Sequence, residues 1–455
     1  MRFRQVHLDF HTSEDIENVG GEFSKEQFQN ALKTGHVDSI TVFSKCHHGW
    51  AYHPSSANVM HPNLHFDLLG AEIEAAHEIG VKTPVYLSAG LDERMARLHP
   101  EWLIRNIDET IAWTPTFNQP GYHRFCFNTP YLDILLSEIE EVVKNYDADG
   151  IFLDIVAVIP CYCQTCVRER KEAGLDPYDP EQAYKHAVKT YLNYTRRVRE
   201  SIDKYKQGLP VFHNAGHLSC GRRDFAHANT HLELESLPTG GWGYDHFPLS
   251  AGYARTLNMD FLGMTGKFHG SWGEFGGFKH PNALKYEAAL SVANGAKVSI
   301  GDQLHPLGKM EPATYKLIGE AFADIETKEP WLDDVESVAD IAILSQEALF
   351  GHMHPGKCPP GKNSWTGATG ASRILLEGKY LFDVVDCDGD FDKYKLIIMT
   401  DDEMIDDVMA EKLKSFVDGG GKILATGDSA LYSDGRGFAF DLGAEYKGEC
   451  EYDPA

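Results

Sequence analysis

The chain has 455 residues, 42% hydrophobic and 24% charged, the balance of a soluble globular protein with room for one large domain and a smaller one. Its net charge of −26 leaves no basic stripe for phosphate contacts and excludes nucleic acid as a partner. There is no apolar run of about 18 residues and no cleavable leader pattern at the start, so no membrane partner is expected and the expected compartment is the cytoplasm.

Short apolar strands alternate with longer segments of helical periodicity, the pattern of a parallel sheet covered by helices. Eight strands are expected, at 4–10, 39–43, 83–87, 150–154, 209–213, 231–235, 261–264 and 297–300. Eight such units over roughly 330 residues predict a (β/α)8 TIM barrel at 1–334. A doubly wound open sheet would need a glycine-rich phosphate turn after the first strand, and none follows. Residues 335–455 carry three more apolar strands, at 338–344, 394–399 and 422–426, with a helix over 404–418 and a long exposed loop over 351–370. This predicts a smaller open-sheet α/β domain, expected to be incomplete because no closing strand pattern follows.

In such a barrel the C-terminal strand ends carry the chemistry. Strand two runs into His47-His48-Gly-Trp50-Ala-Tyr52, where ring N–H groups beside flat aromatic faces suit a sugar, with its polar rim and apolar C–H face. Strand four, Gly-Ile-Phe-Leu-Asp154, ends on a carboxylate, which reads as catalytic or as the cap of the next helix. His213 and Asn214 end strand five. In strand six, alternation puts Glu233 and Glu235 on one side, and a protonated member of such a pair is what a general acid requires. Either glutamate can instead pair with a cation such as Lys45 or Lys267. The glycine-rich loop after strand seven offers His269, Trp272 and a second candidate acid, Glu274. His11, Tyr86 and Trp242 complete the expected sugar-binding set.

Nine cysteines are too scattered for a disulfide framework. Cys161, Cys163 and Cys166 are bunched in a spacing that suits a structural zinc, with Cys126, Cys46 or a histidine as the fourth ligand; reduced free thiols are the alternative.

The Ser-Lys-Cys-His47-His48-Gly-Trp50 segment resembles the Lys-His-His-Asp-Gly-Phe segment of retaining α-L-fucosidases, whose paired histidines bind the sugar. Asp-Gly-Ile-Phe-Leu-Asp154 resembles their strand-four segment, which carries the aspartate nucleophile; Cys46 interrupts the first motif, and the usual Trp before the nucleophile is missing. Trp242-Gly-Tyr-Asp-His-Phe-Pro248 and Gly-Asp302-Gln-Leu-His-Pro306 are similar to a divergent branch that joins this barrel to a domain like the trimerisation domain of β-galactosidases. The tail Phe416-Val-Asp-Gly-Gly-Gly-Lys-Ile-Leu-Ala425 resembles that glutamine-amidotransferase-like fold, and the cysteine cluster resembles the zinc site of those β-galactosidases. The resemblance implies a retaining exo-glycosidase, an α-L-fucosidase before a β-galactosidase, with Asp154 as nucleophile and a glutamate as acid and base. It implies no organic cofactor and a homo-oligomer. A catalytically silent sugar-binding barrel is the alternative of a different class.

Overall fold

The computed structural model describes residues 1–361, 364–401 and 403–448; Cys450 lies outside the described residues. Eight parallel strands form the first sheet: β1 (Arg4–Asp9), β2 (Ser39–Lys45), β3 (Pro84–Ser88), β4 (Gly150–Asp154), β5 (Val211–His213), β6 (Leu232–Glu235), β7 (Phe261–Gly266) and β8 (Lys297–Gln303). All eight expected strands are present, their ends differing by a few residues. Their order, β5-β4-β3-β2-β1-β8-β7-β6, is a TIM barrel with one open seam, between β5 and β6. Thr230 stitches that seam: its N–H and hydroxyl both bond the Val211 carbonyl, at 3.0 and 3.1 Å. The Asn229 side chain accepts from the His213 N–H at 2.7 Å.

The helices around the barrel form where an apolar stripe of helical period meets a capping residue. Pro180–Asp203 starts with Pro180, is capped by Asp179, and buries Ala183, Ala187, Tyr191, Tyr194, Val198 and Ile202 along one face. In Lys25–Thr34, capped by Ser24, Phe28 and Leu32 are fully buried, each contributing about 1.5–3 kcal/mol by leaving water. Inside the barrel, alternate residues of the strands meet: Phe43 stacks on Tyr86 with centroids 3.7 Å apart, and Phe152 on Tyr86 at 5.6 Å.

The second sheet is parallel, with order β10-β9-β11-β12, built from β9 (Ile341–Leu344), β10 (Phe382–Val385), β11 (Leu396–Met399) and β12 (Lys422–Ala425). The sequence reading missed β10, a four-residue strand with Asp383 in its middle. The exposed loop expected over 351–370 is shorter than predicted, because the helices Gln346–Met353 and Thr366–Glu377 take both its ends. The helix expected over 404–418 runs Asp407–Asp418, capped by Asp406.

Asp383 explains itself at the contact with the barrel, where it accepts from Arg255 at 2.8 Å. Close by, Asp386 takes a two-pronged bond from Arg223, at 2.8 and 3.0 Å, and one from the Tyr253 hydroxyl at 2.9 Å. One apolar cluster spans both parts, joining Leu232, Leu234, Phe247 and Tyr253 to Ile343, Val384 and Ile398.

Candidate active site

Asp154 ends β4 inside the barrel mouth, 9% exposed. Its Oδ2 accepts from the Tyr86 hydroxyl at 2.6 Å and its Oδ1 from Asn214 Nδ2 at 2.8 Å, which fixes the plane of the carboxylate. The chain turns sharply behind it. Ala89 and Gly90 both donate their N–H to the Asp154 carbonyl, at 3.2 and 2.9 Å. Ile155 takes a left-handed φ of 60°, a strained conformation for a β-branched residue. A Cβ on Gly90 would lie 1.9 Å from the Ile155 carbonyl oxygen, so only glycine fits there.

His47 lies beside this carboxylate, His11 stacks on His47 and His48 follows in the chain, and their protons follow from their partners. The Ser88 hydroxyl spends its one proton on the Leu91 carbonyl, at 2.7 Å, so His47 Nδ1, 2.7 Å from Ser88 Oγ, must be the donor in that bond. Burial holds the His47 pKa well below that of an ordinary histidine, the ring is neutral, and Nε2, 3.7 Å from Asp154 Oδ2, is left as an acceptor. His11 stacks on His47 at 4.1 Å, and its Nδ1 accepts from the His47 backbone N–H at 3.1 Å. Asp9, 3.1 Å from Nε2, favours a proton on that nitrogen against the effect of burial, and because Nδ1 accepts the His47 amide the ring carries its single proton on Nε2, toward Asp9. His48, bonded to the Tyr122 hydroxyl at 3.1 Å, is lowered to about 4 by burial.

The floor is aromatic. His7 sits edge-on to Phe43, Tyr86, Phe152 and Trp272, with centroids 4.8–5.8 Å apart. Trp272 reaches it from the loop after β7 because Gly301 has no side chain; a Cβ there would lie 2.3 Å from the indole.

The structure thus gathers Asp154, His47, His11, Tyr86, Asn214 and Trp272, with His48 on the rim. Trp50 lies further out, its indole N–H on Glu14 at 3.2 Å and Arg94 over its ring. Glu233 and Glu235 face the barrel interior, as alternation predicts, while Leu232 and Leu234 pack outward. Glu233 accepts from His231 at 3.0 Å and Gln5 at 3.4 Å; Glu235 is half-buried one step nearer the mouth. Lys45 is not their partner, because the β2 ladder shifts between Phe43 and Lys45 and the ammonium pairs with Glu138 at 2.6 Å and Asp92 at 3.4 Å. Other expected residues stand apart. His213 turns to the outer helix, where it bonds the Tyr194 hydroxyl at 3.0 Å, and burial lowers it to about 3. His269 is exposed, Trp242 lies edge-on to His246 at 4.9 Å, and Glu274 is exposed with its carboxylate bound to the Gly270 N–H of its own loop at 2.5 Å. Sequence reasoning missed Asp9, His7, Ser88 and Tyr122, whose roles come from partners distant in the chain.

Cys126 joins Cys161, Cys163 and Cys166 with all four sulfurs within 4.8 Å of one another, all buried. Cys126 and Cys166 Sγ are 3.5 Å apart. Four thiols are the donor set of a closed tetrahedral zinc site, and the residues fit it. The wholly buried Arg170, donating to the Cys161 carbonyl at 3.0 Å, sets a positive charge beside what would be a doubly negative metal cluster.

A carboxylate held by two donors above an aromatic floor, at the C-terminal face of a TIM barrel, belongs to a glycoside hydrolase. A family model described as hypothetical glycosyl hydrolase 6 matches residues 24–155. The solved structure of α-L-fucosidase isoenzyme 2 from Paenibacillus thiaminolyticus is 54% identical, with a TM-score of 0.96 over 100% of this chain and 68% of its own. The chain belongs to the family of that α-L-fucosidase. Two β-galactosidases share the fold alone. That of Bacillus circulans sp. alkalophilus has a TM-score of 0.70 and 15% identity over 94% of this chain and 71% of its own. That of Halorubrum lacusprofundi has a TM-score of 0.69 and 15% identity over 95% and 74%. No curated protein matches. Among the described residues no helix is long and apolar enough to cross a membrane.

Proposed function

We propose that the protein is a retaining α-L-fucosidase with Asp154 as its nucleophile. The observation that carries this reading is the Asp154 carboxylate held by Tyr86 and Asn214 beside a neutral His47, in a chain 54% identical to a fucosidase. Asp154 attacks the anomeric carbon while a carboxylic acid gives its proton to the departing glycosidic oxygen. The resulting glycosyl ester is opened by water that the same carboxylate, now a base, deprotonates. Glu235 is favoured as that group because it ends the rigid strand β6, one step nearer the mouth than Glu233, whereas Glu274 sits in a glycine-rich loop. His47 Nε2 accepts a sugar hydroxyl, and Trp272, the half-buried ring of the aromatic floor, offers apolar surface to a deoxy sugar's methyl group. A panel of nitrophenyl glycosides tests the assignment: α-L-fucoside turnover at least a hundredfold above β-galactoside is expected, and the reverse order refutes it.

Two further parts belong to this reading. The four cysteines hold a structural zinc that takes no part in the chemistry, and catalysis needs no organic cofactor. The chain acts on carbohydrate as a homo-oligomer, a reading supported by the edge strand β12, where Leu424 is 50% exposed. Light scattering at micromolar concentration tests it; a monomer refutes it.

A further inference from the structure

Lys45 is a cation buried behind the sugar site, where the strand pattern alone does not place it. Phe43 faces the barrel interior, so strict alternation would send Lys45 inward as well. The β2–β3 ladder shifts between the two residues and turns the ammonium outward, toward the helix Tyr131–Asn145. There Lys45, 1% exposed, pairs with Glu138 at 2.6 Å and with Asp92 at 3.4 Å, and lies 3.4 Å from the Tyr131 hydroxyl. Burial opposes its charge, yet Glu138, Tyr131 and Asp92 hold its pKa well above the ordinary lysine range.

Asp92 faces two ways. Its Oδ2 meets the Lys45 ammonium, and its Oδ1 caps the short helix Glu93–Leu98 by accepting from the Met95 N–H at 2.8 Å. The first two amides of that helix, Glu93 and Arg94, donate to the carbonyls of His47 and His48 at 2.9 and 3.1 Å. Gly49, with a φ of 91°, lets the histidine turn press against the cap, since a Cβ there would lie 2.0 Å from Asp92 Oδ1. We infer that Lys45 is a positioning residue for the sugar-binding histidines: by compensating the charge of Asp92 it fixes the cap on which the His47–His48 turn rests. A buried ion pair adds little net stability over a well-packed apolar pair, and its best-attested use is to fix registry. The inference rests on the reading of His47 as a ligand of the sugar.

Asparagine caps a helix as well as aspartate does, so Asp92→Asn keeps the cap and removes the charge pair. A contact made equally to substrate and transition state shows in KM rather than in kcat. In the full chain, Asp92→Asn should therefore raise KM for 4-nitrophenyl α-L-fucoside, and the Kd of L-fucose by calorimetry, at least fivefold, with kcat within threefold of the parent. Glu138→Gln breaks the other contact of the same cation without touching the turn, so it should lower the melting temperature while both constants stay within twofold. Rises as large in Glu138→Gln as in Asp92→Asn, or no rise in Asp92→Asn, overturn the inference. If Asp92→Asn does not fold, the double variant Lys45→Met with Glu138→Gln, which removes the cation together with one of its two counter-charges, is compared with Glu138→Gln in the same way. A parent chain that neither binds L-fucose nor cleaves the fucoside would instead remove the fucosidase reading.

Discussion

The Tyr86 hydroxyl lies 2.6 Å from Asp154 Oδ2, and burial, reinforced by the charge of Asp154, pushes the phenol's pKa well above its ordinary value. The phenol is therefore a permanent donor to this carboxylate. Tyr86→Phe keeps the ring stacked on Phe43 and removes that bond, together with the longer 3.5 Å contact to His47 Nδ1. A hydrogen bond to a charged group is worth about 1.5–3 kcal/mol, so kcat/KM should change by roughly 10- to 100-fold, with a melting temperature close to the parent's. An unchanged rate would show that Tyr86 does not tune Asp154.

Asp154→Ala should abolish turnover and leave the fold intact, and azide or formate should partly restore activity by taking the carboxylate's place. Asp154→Asn should be equally inactive without such rescue. Wild-type rates in either variant would exclude Asp154 as nucleophile.

The acid is decided by leaving groups. Glu235→Gln should cripple substrates with poor leaving groups, spare activated aryl glycosides in the first step, and flatten the basic limb of the pH–rate profile. If Glu274→Gln behaves this way and Glu235→Gln does not, the loop carries the acid.

The buried histidines set the acid sensitivity of the fold. His48 and His213 are lowered to about 4 and about 3, and His7 and His47 are lowered too, all by burial. Each folded-state pKa lies below the unfolded value near 6.5, so the unfolded chain binds the extra protons as pH falls through 6.5 toward 4. Stability is complete above that window and declines within it by about 1.4 kcal/mol per pH unit for each such histidine. Urea midpoints at pH 7 and pH 5 measure this; equal midpoints would contradict it.

Metal analysis should find about one zinc per chain, bound by Cys126, Cys161, Cys163 and Cys166. Cys126→Ser should release it and lower the melting temperature, leaving residual activity at low temperature. Zinc content unaffected by that substitution would exclude Cys126 as the fourth ligand.

The barrel was legible because its strands are apolar runs of regular spacing, and strand six showed which of its residues face inward. What the sequence could not carry were contacts across long stretches of chain. Cys126 stood among the candidate partners of Cys161, but nothing in the sequence selects it over Cys46 or a histidine, and nothing around His47 indicates that Ser88 fixes its tautomer. His213 shows the reverse error: it sits at a strand end beside Asn214, yet alternation sends neighbouring side chains to opposite faces, so only Asn214 meets Asp154. β10 was missed because Asp383 looks like a break in an apolar run until Arg255 is seen opposite it.

The apolar cluster shared by Leu232, Phe247, Ile343 and Val384 has a bearing on how the molecule comes apart. Heating cannot expose the inner face of the second sheet without also exposing the flank of the barrel at its unladdered seam. The two parts therefore melt together, and a scanning calorimeter should record one endotherm for the chain rather than two.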